Sequence, residues 1–280
     1  MMRGMFSAIS GLKQHQVMLD VTANDISNVN TLGYKSSRVT FQDSLTQMQR
    51  GAAAPTGTNG GANAAQVGLG TQLGSIDNLM SGGALQSTGN PLDVAIQGAG
   101  FFRVAPSAPP AAATGSFEYT RAGNFTTNSD GYLVTQDGLY VQGLTNPGAA
   151  GAGNAGKLIR IPEDSTNVAI GQNGEVSYID GTTGTRTTAG YIQLATFANS
   201  AGLERAGNNR WVESANSGVA QVESPSANVG FTTAGAVEMS NVDLAQSFTS
   251  MITAQRGFQA NSRVISTSDE MLQDLVNLKR

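Results

Sequence analysis

Leu244, Met251, Phe258, Ile265 and Leu272 recur at every seventh position, and no proline interrupts residues 242–280. A seven-residue apolar repeat is the seam of a helix that packs lengthwise against another helix. The run predicts a helix of roughly 36 residues, about 55 Å long at 1.5 Å per residue. Gly257 is its one weak position, by about 1 kcal/mol relative to alanine. The expected companion seam, Phe248, Gln255, Ser262, Asp269 and Val276, is apolar only at its ends. Asn241, before Val242 and Asp243, is the expected N-cap.

A helix so long and so narrowly striped needs a partner, and the other end of the chain offers one. Met5, Ile9, Leu12, Gln16, Leu19, Ala23 and Ile26 alternate steps of four and three, the same seam pattern. Asn28, Asn30 and Gly33 then supply residues that tolerate left-handed backbone and stop a helix. The two terminal helices are expected to pair. Polar groups within a seam favour register and partner choice over raw stability, so the half-polar C-terminal stripe is expected to meet helices of other copies. The candidate assembly seam is Ile9, Leu12, Leu19, Ile26, Leu244, Phe248, Met251, Phe258, Ile265 and Leu272.

The middle of the chain has a different period. Leu92, Val94 and Ile96 alternate with polar or small residues, and Phe101, Phe102 and Val104 follow after Gly98 and Gly100. Asp130-Gly131, Asp137-Gly138, Asn173-Gly174 and Asp180-Gly181 are hairpin-turn dipeptides between short runs such as 132–135, 139–142, 168–170 and 175–179. Runs 191–197 and 210–213 add two more strands. Strands without alternating helices predict an antiparallel sheet rather than a parallel nucleotide-binding one. Residues 50–66, 105–116 and 145–156, rich in Gly, Ala, Asn and Thr, read as loops, the first of them flexible. The expected fold is α+β, with paired long, coiled-coil-like terminal helices flanking a mainly antiparallel β domain. Residues 1–33 with 241–280 are expected to form the helical assembly domain, 34–80 an extended connector, and 81–240 the β-rich domain.

Composition removes most chemistry. With no cysteine and one histidine, His15, the chain offers neither thiolate sites nor a multi-histidine metal site. A net charge of −4 gives no drive for phosphate neutralisation, so no nucleic-acid partner is expected. No run of about 18 apolar residues occurs, so no membrane insertion is expected, and the N-terminus lacks a signal peptide's continuous apolar stretch. Gly98-Ala99-Gly100-Phe101-Phe102-Arg103 puts Arg where a dinucleotide fingerprint needs its third Gly, and leads into a strand. The acidic pairs Glu163-Asp164 and Asp269-Glu270 diverge along their elements and do not oppose two carboxylates. His15 reads as a solvated or partly packed helix residue. No catalytic residue, cofactor or metal site is expected.

The segment after the first helix carries the functional reading. Asn24, Ile26, Ser27, Asn28, Asn30, Thr31, Gly33, Tyr34 and Lys35 match the N-terminal signature of the bacterial flagellar hook and rod axial proteins, with Asp25 replacing the second Asn of a pair. The motifs Met5–Leu12, Thr40–Asp43, Leu92–Ile96, Tyr119–Phe125 and Gln255–Ser262 follow in the family's order. The chain therefore resembles that family across both ends and most of its centre. The resemblance implies a helical homopolymer whose terminal helices line an inner tube with the β domain outside. It also implies other flagellar axial proteins as partners (rod, hook cap, hook–filament junction) and export through the flagellar type III apparatus. The implied location is the flagellar hook and basal body, at the cell exterior after export. Within the family, the run Arg256–Asn261 is similar to hook subunits, so the expectation is a hook subunit, a flexible universal joint in which segment 34–70 supplies slack. A distal rod subunit is the alternative, since 280 residues is close to rod length; a secreted β-rich polysaccharide-acting enzyme and a surface adhesin are the other classes.

Overall fold

The computed structural model of the protein describes residues 2–55, 60–106, 117–144 and 157–278. The chain folds as two compact units, one of residues 1–27, 37–78 and 243–280, the other of residues 28–36 and 79–242.

The first, helical unit holds α1 (Met2–Ser27), α2 (Leu244–Asn277) and four strands: β1 (Ser37–Asp43), β2 (Thr46–Arg50), β3 (Ala65–Gly68) and β4 (Thr71–Asn78). At 34 residues, α2 is about 51 Å long. The helices run antiparallel: Gly11 lies against the Asn261 side chain, and Gly257 one turn back lies against the His15 ring one turn on. The expected cap is corrected by two residues. Asp243 caps α2, its carboxylate accepting from the backbone N–H groups of Ala245 and Gln246. Asn241 is occupied elsewhere, accepting from the Ser36 N–H and donating to the Leu79 carbonyl oxygen. Four strands lie within 34–80, the expected extended connector. β1 pairs with β4 from Ser37↔Asn78 to Asp43↔Thr71, and β2 pairs with β3 from Thr46↔Gly68. A bridge between Ala53 and Ala62 continues that pairing into the segment expected to be a flexible loop, of which residues 56–59 lie outside the described residues.

The second, β unit contains β5 (Leu85–Ser87), β6 (Val94–Gln97), β7 (Phe101–Ala105), β8 (Glu118–Thr120), β9 (Thr126–Thr127), β10 (Leu133–Val134) and β11 (Tyr140–Leu144). It continues with β12 (Lys157–Leu158), β13 (Ser165–Ile170), β14 (Glu175–Asp180), β15 (Arg186–Ile192), β16 (Leu194–Thr196), β17 (Glu204–Gly207), β18 (Arg210–Val212), β19 (Gln221–Glu223), β20 (Phe231–Ala234) and β21 (Ala236–Glu238). The main sheet runs in the order β13-β14-β15-β11-β7-β8-β18-β17, and its pairings are antiparallel, as the turn-punctuated sequence predicts. Three of the four predicted turns share one form. Residues 128–132, 135–139 and 171–175 each close through a bond between first and last residue, with Gly131, Gly138 or Gly174 bonded back to the first carbonyl oxygen. These glycines have φ of 80°, 80° and 75°, the left-handed position of a three-residue hairpin loop. At Asp180-Gly181 the loop is longer and the left-handed residue is Gly184. The predicted loops at 105–116 and 145–156 lie, beyond Pro106, outside the described residues.

One core cluster of this unit gathers Phe102, Val104, Phe125, Val141, Ile159, Ile192 and Leu194, and a second gathers Phe101, Tyr119, Ala195, Leu203 and Trp211. Burial at the ~25 cal/mol per Å² of apolar area that holds domains together is therefore concentrated here.

Candidate functional site

Two places gather the residues that the sequence singles out, one in each unit.

In the helical unit, Met251, Phe258, Ile265 and Leu272 are half-buried, as are Ile9, Leu12, Leu19 and Ile26. The companion seam is not the predicted one. Phe248, Gln255, Ser262, Asp269 and Val276 are all exposed, and the inward positions are Ser247, Ala254, Asn261 and Ser268. Both sets keep a seven-residue period. The occupied one consists of small or short side chains, which let two helix backbones approach. Ser268 returns its hydroxyl to the Val264 carbonyl, so its burial leaves that donor satisfied. Leu244 and Phe248, named as seam residues, face outward at 41% and 50% exposure. Ile252, Val264, Met271 and Leu275 join them, as do Met2 and Phe6 on α1. Ala8 and Ala254 are the only hydrophobic residues buried in this unit among those described. At the end of α1, Asp25 is buried and its carboxylate accepts from the Ser37 N–H, tying the helix terminus to β1.

In the β unit, the signature segment is locked in place rather than presented. Gly33 has φ of 66°, and a Cβ there would stand 2.6 Å from the Ala122 nitrogen; only glycine fits both the left-handed backbone and the close approach. Its N–H donates to the Glu238 carbonyl at 2.8 Å. Tyr34 and Lys35 are buried, at 5% and 1% exposure. The Lys35 ammonium donates to the Glu238 carboxylate at 2.6 Å and to the Ser81 carbonyl at 2.8 Å. Arg121 completes the cluster, its Nη1 3.2 Å from the other Glu238 oxygen and its Nη2 donating to the Gly98 carbonyl at 2.9 Å. The Gly83 N–H supplies a further donor to Glu238. Burial pushes both the Lys35 ammonium and the Arg121 guanidinium below their ordinary pKa values, and the Glu238 carboxylate opposes the shift in each. One carboxylate thus holds two cations that are remote in sequence. From the other side, Arg205 donates to the Lys35 carbonyl and stacks on the Tyr34 ring at 5.1 Å, and Asn209 donates to the Leu32 carbonyl. Asn28 and Thr31 bond each other at 3.1 Å, while Asn24 and Asn30 are exposed.

Glu238 was invisible as a site residue in sequence. Its signal is an acid in the otherwise apolar run Ala236-Val237-Glu238, in a chain whose charged share is only 13%.

Beside the signature segment lies a groove of about 520 Å³, lined by Asn28, Thr31, Thr120, Asn209 and Arg210 among others. Its Arg210 is paired with Glu118 at 2.8 Å and lies 3.9 Å from Asp137, which also lines the groove, so the charges there pair with each other. Glu163, Asp164, Asp269 and Glu270 are exposed. Among the described residues no cluster of His, Asp and Glu could hold a metal ion, and no helix is long and apolar enough to cross a membrane. The arrangement can therefore pack and pair, with buried charge used for fastening.

Comparison with known proteins points the same way. Residues 5–35 match a family described as flagella basal body rod protein, residues 95–178 the flagellar hook protein FlgE/F/G D1 domain, and residues 233–278 the C-terminal part of flagellar basal body rod FlgEFG proteins. The flagellar basal-body rod protein FlgG of Bacillus subtilis (strain 168) is 46% identical over the full length of both chains. That of Caulobacter vibrioides is 38% identical over 99% of this chain and all of its own. The flagellar hook protein FlgE of Borreliella burgdorferi is 28% identical with both chains covered in full, but over 450 aligned positions, so it carries sequence without counterpart in these 280 residues.

Proposed function

This chain belongs to the flagellar hook and basal-body rod family of axial proteins, and we propose that within it the chain is a distal rod subunit, a non-catalytic element of the drive shaft. Its place is the flagellum, and members of the family polymerise and associate with other axial proteins.

The hook expectation gives way to the rod alternative on two counts. Relatives named as rod protein match end to end with almost no length difference, whereas the hook relative needs the longer alignment. Of segment 34–70, the slack that a flexible joint needs, residues 37–43, 46–50 and 65–68 lie in paired strands. The hook cap and hook–filament junction, partners of a hook subunit, leave the reading with it. Export through the type III apparatus stays within the proposal.

The observation that carries assembly is the unequal distribution of apolar surface. Among the exposed large hydrophobic side chains of the described residues, all but Leu79, Leu85, Val219 and Phe231 belong to the helical unit. Contiguous exposed apolar surface marks interaction sites, and a head-to-tail contact that does not close on itself yields an open helical polymer. Other copies of the helical unit would cover Leu244, Phe248, Ile252, Val264, Met271 and Leu275. Electron microscopy of the purified full-length chain in polymerising salt tests this. Straight tubes are expected; curved tubes would restore the hook, and dispersed particles at all concentrations would overturn the assembly reading.

A further inference from the structure

We propose that His15 is the register key of the helix pair, a ring wedged between Gly257 of α2 and Phe41 of β1, and that Gly257 is glycine because the ring occupies the space of its side chain. A Cβ on Gly257 would stand 2.5 Å from His15 Cε1, 2.5 Å from Nε2 and 2.9 Å from Cδ2. Real Cβ atoms do not come so close to a neighbour, so a side chain at Gly257 requires the whole ring to swing aside. On its other side the ring meets Phe41 edge-on, with centroids 6.1 Å apart at 71°. His15 of α1 is therefore flanked by two other elements of its own unit, α2 and β1.

The arrangement is reciprocal. One helical turn away, Gly11 of α1 receives the Asn261 side chain of α2, where a Cβ would stand 2.7 Å from Nδ2. Each helix gives a polar side chain to a glycine notch in the other. The Asn261 contact is the softer of the two, because only the tip of a flexible side chain would have to move. Apolar stripes of period seven slide past one another at intervals of a turn at modest cost; a ring in a notch does not. That distinction matters for a helix whose apolar surface is left largely outward. A slip by one turn would carry α2 about 5.4 Å along α1 and re-aim every exposed residue from Leu244 to Leu275. For assembly, this consequence rests on the filament reading given above.

The test uses four full-length proteins: wild type, G257A, H15A and the double variant G257A/H15A. Helix propensity and the register key predict opposite signs. Alanine in place of a helical glycine gains about 1 kcal/mol, a rise of roughly 2–4 °C in the helical melting midpoint for a chain of this size. The wedge predicts a fall of about 2–6 °C for G257A, since overpacking outweighs that gain. In the double variant the obstructing ring is gone, so its midpoint should exceed that of G257A. Melting is followed by circular dichroism, and tube formation is scored in parallel. G257A at or above wild type, a double variant no better than G257A, or a wild-type chain with no cooperative helical transition would each overturn the proposal. If the melting pattern holds while wild type forms no tubes, the key stands and the filament reading fails.

Discussion

The two units spend similar residues in opposite ways. In the β unit, Val94, Phe101, Phe102, Val104, Val141, Ile192 and Leu194 are fully shielded from water, and even its charged signature residues are buried and partnered. In the helical unit only Ala8 and Ala254 are buried among described hydrophobic residues, while Phe6, Leu45, Phe248 and Val276 are half or more exposed. A unit that buries its apolar surface internally is complete as a single chain. One that cannot is completed by association, because the same area term acts between chains as within them. The composition supplies a reporter for each: the sole tryptophan, Trp211, is buried in the β unit, and the sole histidine, His15, lies in the helical unit.

That contrast can be broken or sharpened by substitution. The largest expected effect is from Phe258→Asp, which places a carboxylate in the helix seam. Tube formation should be abolished, while the urea transition followed by Trp211 fluorescence moves by less than about 0.5 kcal/mol. Tubes from this variant would show that the seam does not drive assembly.

Next comes Glu238→Gln, aimed at the β unit. It leaves Lys35 and Arg121 buried without their shared counter-charge, and breaking a buried pair from one side costs about 3–5 kcal/mol. The Trp211 transition should shift by that amount. A loss below about 1 kcal/mol would mean that the buried cluster is not what fastens the signature segment.

The smallest effect concerns Tyr119, whose hydroxyl donates to Glu213. Burial first, and Glu213 second, raise its pKa above the ordinary value. The unfolded tyrosine ionises near pH 10, so above that pH the folded state binds more protons than the unfolded one. Its contribution to stability is therefore complete below pH 10 and lost as pH rises through the alkaline window. Tyr119→Phe should cost about 1 kcal/mol at neutral pH and flatten the alkaline fall relative to wild type, measured by Trp211-detected unfolding at pH 8 and above. An unchanged alkaline slope would remove Tyr119 from that account.

Much of this was legible beforehand. The repeat through Met251, Phe258, Ile265 and Leu272 is a local property of a helix, and it survives in the structure with those side chains half-buried. So do the glycine turns at 131, 138 and 174, because a left-handed backbone position needs glycine whatever surrounds it. The choice of companion seam was not legible. Phe248 and Val276 are more apolar than Ser247 and Ser268, so hydrophobicity selects the wrong set; steric room between antiparallel backbones selects the right one. In sequence Gly257 is only a weak point of the helix, whereas its contact is with a ring 242 positions earlier in the chain.

The flagellar family, the α+β class and the long terminal helices were thus determined by residues acting over one or two turns, where spacing alone carries the information. The partnership of Lys35 with Glu238, across 203 positions, and the seating of His15 on Gly257 were decided only in the folded chain. Periodicity records which face of an element avoids water. It does not record which distant group will be desolvated beside it, and that choice fixes both the buried charges and the helix register.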